Sequence, residues 1–275
     1  MVRVDEQPAA PPRRRIQRVP VPLLLPAMAG LAFLVLPLAG LVVRAPWTTL
    51  WQRLTESSAL TALRLSLQTA TTATIVCLLL GVPLAWLLAR VDFPGRRVVR
   101  ALVTVPLVLP PVVGGVALLL VFGRRGLLGE WLNAAFGFTL PFTTTGVVVA
   151  EAFVAMPFLV IAVEGALRGA DTRYEEAAAT LGAGRWTAFT HVTLPLVAPG
   201  IAAGGVLCWA RALGEFGATI TFAGSFQGTT RTMPIEVYLT LQHDPEAAIA
   251  LSLVLLLVSV AVLAGLRERW LTTGG

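Results

Sequence analysis

Six long stretches of almost unbroken apolar sequence dictate the fold class of this chain. They run roughly over Val21–Val43, Ser66–Ala89, Val98–Phe122, Thr145–Ala166, Leu196–Thr221 and Ala248–Leu266. A helix needs about 20 apolar residues to cross the hydrocarbon core of a bilayer. None of the six alternates with the two-residue period of a membrane barrel strand. The pattern therefore predicts an all-α polytopic membrane protein with six transmembrane helices. Charge agrees: only 13% of the 275 residues are charged, where soluble domains carry roughly 25%.

The first stretch is too long for the apolar part of a cleaved signal, about 7–15 residues, and it contains Pro22, Pro26 and Pro37. It is expected to be a retained helix. The Arg- and Pro-rich residues 1–20 before it read as a disordered tail. Arginine sets the orientation, because connections rich in basic residues stay in the cytoplasm. With the N-terminus inside, fourteen arginines fall in inner segments and five, Arg44, Arg53, Arg124, Arg125 and Arg231, in outer ones. Both termini are expected to be cytoplasmic. The expected organisation is a tail over residues 1–20, a first helix and external loop over 21–59, a transmembrane core over 60–266 with a cytoplasmic loop at 168–195, and a cytoplasmic tail over 267–275. The basic charge is this topology signal, so no nucleic-acid partner is needed to explain it.

Every basic residue is arginine. Without lysine the chain lacks a Walker A motif and cannot be an ordinary P-loop ATPase, nor can it form a lysine Schiff base. Two cysteines and two histidines with no ligand spacing give neither a disulfide framework nor a metal site.

The inner loop from Arg168 to Pro195 carries the clearest pattern. Asp171 or Thr172 can cap a short helix, with Glu175 and Glu176 in its first turns, where the helix dipole favours acids. Ala177, Ala178 and Ala179 leave that helix thin enough for close approach by a partner, and Gly182 is a natural stop. A second amphipathic piece carries Trp186, Phe189 and Val192 on one side and ends at Leu194–Pro195. Glu176-Ala177-Ala178, then Gly182, then Val192-Thr193-Leu194-Pro195 resembles the EAA loop of bacterial ABC-importer permeases, E-A-A-x3-G-x9-I-x-L-P, with valine in place of isoleucine.

The resemblance covers about residues 60–266, the type 1 ABC-importer permease core with its MetI-like fold. Arg211-Ala212-Leu213-Gly214-Glu215-Phe216-Gly217-Ala218-Thr219 is similar to the oxyanion branch of that family, as are Leu107–Gly114 and Phe122–Gly129. The string Gly228–Tyr238 looks more like molybdate permeases than sulfate ones. The resemblance implies a non-catalytic subunit of a bacterial cell membrane, working as a homodimer. It implies two copies of a separate ABC ATPase that carries the ATP and magnesium, and an extracytoplasmic molybdate-binding protein. No cofactor is expected on this chain. It also implies that Glu175, Glu176, Ala177, Ala178, Gly182, Leu194 and Pro195 form the ATPase-coupling loop. Tungstate or sulfate/thiosulfate transport by the same machinery, and an ion-coupled secondary transporter, are the alternatives.

Within the spans, Arg211 and Glu215 lie four apart, so on one helix they share a face, which Cys208 and Thr219 extend. That face either lines a pathway for a dianion or is an internal ion pair holding the helix. Glu151 is the other acid deep in a span, and pairing with a neighbouring helix is the expectation over a proton relay. Glu164, near a membrane end, is expected to be solvated. Thr69, Thr71, Thr72 and Thr74 are expected to serve mainly in packing. Pro106, Pro110 and Pro111 should bend or unwind the third span. Arg124 and Arg125 run against the orientation signal and are candidates for external contact with a binding protein or a released dianion.

Overall fold

The computed structural model describes residues 21–272; the expected disordered tail, residues 1–20, and residues 273–275 lie outside the described residues. The chain divides after Arg44 into two units. Of the first, α1 (Val21–Val43) is described, and it carries Pro26 and Pro37 inside the helix. It is apolar on all sides, as a helix must be whose surroundings are lipid or other protein.

The second unit begins at Ala45 and contains the remaining helices. These are α2 (Leu50–Leu54), α3 (Ser57–Arg90), α4 (Arg96–Val108), α5 (Pro111–Phe122), α6 (Gly129–Phe136), α7 (Thr144–Gly169), α8 (Arg173–Thr180), α9 (Arg185–Ala188), α10 (Leu194–Leu213), α11 (Gly217–Ala223), α12 (Met233–Leu241) and α13 (Pro245–Thr272). No strand occurs among the described residues. Five helical segments of the chain are long and apolar enough to cross a membrane, and α4 with α5, bent by 119°, makes up to a sixth.

The core of this unit is α3, α7 and α10. Thr69 meets Glu151 and Arg90 meets Ala170, so α3 and α7 run parallel. Gly200 faces Ala166 and Gly204 faces Ala162, so α10 runs antiparallel to α7. A Cβ on Gly200 would stand 2.3 Å from the Ala166 Cβ. Small residues four apart on both helices thus let the backbones touch, which is how helices associate where lipid removes the hydrophobic drive. Ala70, Ala73, Cys77, Ala152, Ala155, Cys208 and Ala212 continue this small-residue layer, with Leu159, Val160 and Val163 filling between them. At the end where α3 and α7 begin, Arg53 pairs with Asp244 at 2.5 Å and Glu246 at 3.2 Å. That ties the segment before residue 60 to the start of α13. The Asp244 carboxyl is held below its ordinary range, first by the backbone N–H of Ala247 and then by Arg53.

Two expected spans are interrupted. The third breaks at Leu109–Pro110, as its prolines predict. The fifth does not run through to Thr221: α10 ends at Leu213 and α11 restarts at Gly217. The loop before it differs as well. Leu194–Pro195 does not end the amphipathic piece but carries it on into α10. Residues 185–213 form one continuous 29-residue helical segment. Phe189–Thr193 within it is a π turn, with the Leu194 N–H donating to the Phe189 carbonyl.

Candidate functional site

Three features carry the sequence-predicted residues, the first being the loop between α7 and α10. The side chain of Asp171 accepts from the backbone N–H of Arg173 at 3.0 Å and pairs with its guanidinium at 2.6 Å. Those two bonds, the side-chain one first, hold its carboxyl below the usual range. Thr172 precedes α8 without a side-chain cap. At the other end Gly182 adopts φ +85°, its N–H donating to Ala179 and that of Ala183 to Ala178, each at 3.0 Å. That is a Schellman closure, which needs a left-handed residue where glycine stands.

The two acids of α8 separate in role. Glu175 turns inward and pairs with Arg90, at the end of α3, at 3.0 Å. Glu176 and Ala177 are exposed. Tyr174 and Leu181 join them at the surface, Leu181 at 88% exposure, and Trp186 of α9 is exposed as well. Beneath lies a cavity of about 520 Å³ whose lining includes Trp86, Arg90, Glu175 and Phe189. Trp86 meets Phe189 edge-on with centroids 6.0 Å apart. The loop is therefore a fixed platform: α8 is clamped through Glu175 and presents apolar side chains outward. Ala178 is half-buried, as is Leu194, while Gly182 and Pro195 are exposed. Sequence reasoning did not find Arg90 and Trp86: Arg90 stands 85 residues before Glu175, and no local pattern links them.

The second feature is the break between α10 and α11. Arg211 Nη1 lies 2.6 Å from Glu215 Oε2, with Glu215 1% and Arg211 28% exposed at the side chain. Glu215 Oε1 accepts from the Ala218 N–H at 2.9 Å. The expected pairing is present, but not on one helix face: Glu215 lies beyond the end of α10, and one carboxylate joins α10 to α11. Thr219 and Cys208 are fully buried, Thr219 in α11 rather than on a continued α10. Its Oγ1 has no partner among the described residues.

Deeper in, Glu151 accepts from Thr69 Oγ1 at 2.9 Å across α3 and α7, the neighbour pairing expected of it. Thr71 accepts from Trp209 Nε1 at 3.1 Å, while Thr72 and Thr74 donate to their own helix backbone. Glu164 is not solvated but buried, 2.7 Å from Arg100 and 2.8 Å from Arg168. The four-residue spacing from Glu164 to Arg168 carried that signal.

The third feature is the turn after α5. Gly126 N donates to Gly123 O at 2.7 Å, Leu127 N to Leu120 O at 3.1 Å and Leu128 N to Val121 O at 2.8 Å. The turn folds back onto the last carbonyls of α5 and holds Arg124 and Arg125 exposed.

A small-residue helical core and interrupted apolar spans, with an ion pair at one break and a clamped platform at one end, define a multi-pass helical membrane protein. Residues 78–273 match the family described as binding-protein-dependent transport system inner membrane component, and the chain belongs to that family. It is 52% identical over 245 residues to the molybdenum transport system permease protein ModB of Mycobacterium tuberculosis, covering 89% of this chain and 92% of that protein. It is 38% identical over 234 residues to the sulfate transport system permease protein CysT of Escherichia coli, covering 84% of each. A crystal structure of a bacterial alginate ABC transporter in complex with its periplasmic protein contains a chain of the same fold. There the TM-score is 0.74 at 18% identity, over 90% of this chain and 92% of that one.

Proposed function

We propose that this chain is the membrane-spanning permease subunit of an ATP-driven molybdate importer. In this reading two copies form the translocation pathway, and each presents α8 to one copy of a separate ATPase subunit. That ATPase carries the ATP and magnesium. An extracytoplasmic binding protein delivers the ion. The observation that carries the reading is the platform itself: a short, thin helix, closed by Gly182, braced by Glu175–Arg90, and showing Tyr174, Ala177 and Leu181 outward. A partner moving against such a helix passes its displacement to α3 through Arg90 and to α10 through the continuous segment 185–213. The arginine bias supports a cytoplasmic location for this end and for both termini. Molybdate is favoured over sulfate because the ModB relative is 52% identical and the CysT relative 38%.

Arg211 is largely neutralised by Glu215, so it offers a dianion a weak hold. That suits a pathway from which the ion must leave and leaves affinity to the binding protein. Arg124 and Arg125 serve as exposed charges that steer that protein's approach.

The test is uptake by the reconstituted complex with molybdate, tungstate and sulfate in competition. Ala177→Trp adds bulk to the exposed face without touching the Gly182 closure, and Glu176→Lys reverses the exposed acid. Each is expected to lower uptake and transport-linked ATP hydrolysis at least about ten-fold, equivalent to about 1.4 kcal/mol of lost coupling, with insertion unchanged. Normal hydrolysis in both variants would refute the docking role of α8. Sulfate outcompeting molybdate would move the chain to the sulfate reading.

A further inference from the structure

The end of the second unit that bears α8 holds another feature, which the transport reading leaves unused. A cleft of about 600 Å³ opens at the start of α4, where Arg96, Arg97, Arg100 and Arg168 converge with Asp92 and Gly95. The acids are too few for the cations. Asp92 pairs with Arg96, and Glu164 is shared by Arg100 and Arg168. Arg97 is exposed and makes none of the described ion pairs. Two positive charges are left over. They also stand at the wrong end of a helix: α4 begins with Arg96 and Arg97, has no acid in its first turn, and Gly95 gives it no side-chain cap. A helix N-terminus repels cations and leaves N–H groups open, so this arrangement favours an anion from outside the chain.

The second observation is apolar and lies on the same helix. A groove of about 310 Å³ is lined by Val99, Leu102, Val103 and Pro106 of α4 with Phe153 and Met156 of α7. Residues 96, 99, 100, 103 and 106 make one stripe at helical spacing, so Arg96 and Arg100 of the cleft share a face of α4 with Val99, Val103 and Pro106 of the groove. From Arg97 to Pro106 the helix rises about 13 Å. One molecule matches that sequence of chemistries: a phosphate diester followed by hydrocarbon.

We propose that cleft and groove together form a binding site for an anionic phospholipid of the leaflet at the α8 end. The phosphate lies between Arg97, Arg168 and the open start of α4, and an acyl chain lies along Val99, Val103 and Pro106. Basic pockets between membrane helices take anionic headgroups in this way. Free inorganic phosphate shares the headgroup chemistry but has nothing to place in the groove.

Native mass spectrometry of the detergent-solubilised complex tests this by titration with dioleoylphosphatidylglycerol, dioleoylphosphatidylcholine and inorganic phosphate. One phosphatidylglycerol per chain is expected to bind saturably, at least about ten-fold more tightly than phosphatidylcholine, a preference that two surplus arginines supply. Arg97→Gln with Arg168→Gln should weaken phosphatidylglycerol about 30-fold and leave phosphatidylcholine unchanged; unaltered unfolding temperature in phosphatidylcholine shows that the fold is intact. Val103→Trp should weaken the lipid and spare any phosphate binding. Equal binding of the two lipids, or phosphatidylglycerol binding unaffected by the double substitution, overturns the proposal. So does inorganic phosphate competing at the lipid's own affinity, which would leave a headgroup site alone. Cross-linking of Val103→Cys between two copies that excludes the lipid also overturns it, assigning the groove to a second chain.

Discussion

Two membrane-crossing stretches of this chain are interrupted, and they are interrupted by different chemistry. Between α4 and α5 the break is written in the backbone. Leu109 and Pro110 both sit extended at ψ 132°, because Pro110 keeps the residue before it out of the helical region and Pro111 does the same to Pro110. Between α10 and α11 there is no proline. The chain turns at Gly214, Glu215 and Phe216, and what holds it is a carboxylate gripping Arg211 on one side and the Ala218 N–H on the other. The two breaks then depend on each other. A Cβ on Gly115 of α5 would lie 2.6 Å from Thr221 Cβ and 2.9 Å from the Ala218 carbonyl, and one on Gly217 would lie 2.7 Å from Pro111 Cβ. The segments beyond each break pack backbone to backbone. Irregular main chain at membrane depth is tolerated only where protein encloses it, and here each interruption encloses the other.

The comparison breaks most sharply at the electrostatic interruption. Glu215 is fully buried, whereas Arg211 keeps partial exposure. Arg211→Met leaves a buried carboxylate with one backbone donor and should cost about 3–5 kcal/mol. Glu215→Gln leaves a cation that can turn toward water and keeps an acceptor for Ala218, so it should cost clearly less. Arg211→Met with Glu215→Gln should recover most of the loss. Thermal unfolding of the purified permease reads all three. Equal losses in the two single variants would mean that the carboxylate does not hold the break.

The packing between the two segments comes next in size. Gly115→Val pushes a side chain against the Thr221 side chain and the Ala218 carbonyl, neither of which can swing away, and should destabilise by about 2–3 kcal/mol. Gly214→Ala is the control. Its Cβ would meet only the Ala210 carbonyl at 3.6 Å, and it should shift stability by less than about 0.5 kcal/mol. A similar loss at both positions would show that the break tolerates no side chain anywhere and that the α5–α11 contact is not special.

The same contrast explains what could be read from the chain beforehand. The long apolar helices, the loop helix over 173–180, its stop at Gly182 and the kink at Pro110–Pro111 follow from local rules: apolar length, caps, a left-handed glycine, and proline. The α10–α11 break obeys no local rule. Arg211 and Glu215 stand four apart, the spacing of an ordinary helical ion pair, so the sequence reads as continuous helix, and the bond from the Ala218 N–H to Glu215, visible only in the structure, shows otherwise. Glu175 differs: its inward pairing has no local signal, whereas that of Glu164 had one in Arg168, four residues on. Glu175 looks like an ordinary loop acid until Arg90, 85 residues earlier in the chain, is brought to it by the packing of α3 and α7. Local signals predicted elements; for Glu175 a long-range charge pair decided that it faces inward.

The smallest effect is expected at the break that looks most rigid. Pro110→Ala removes one ring but not the restraint, since Pro111 still keeps residue 110 extended and the α5–α11 contact still fixes where α5 must lie. The cost is the looser unfolded chain, about 0.4–1 kcal/mol. Geometry is the sharper readout. Val105 and Val116 are both exposed on either side of the bend, so cysteines there accept spin labels. A straight helix would place these sites about 17 Å apart along its axis, and the 119° bend brings them closer. The bent distance should persist in Pro110→Ala and lengthen only when Gly115→Val is added to release α5. Lengthening in Pro110→Ala alone would make proline the whole cause of the break. The two interruptions would then be independent, and the mutual enclosure argued above would fail.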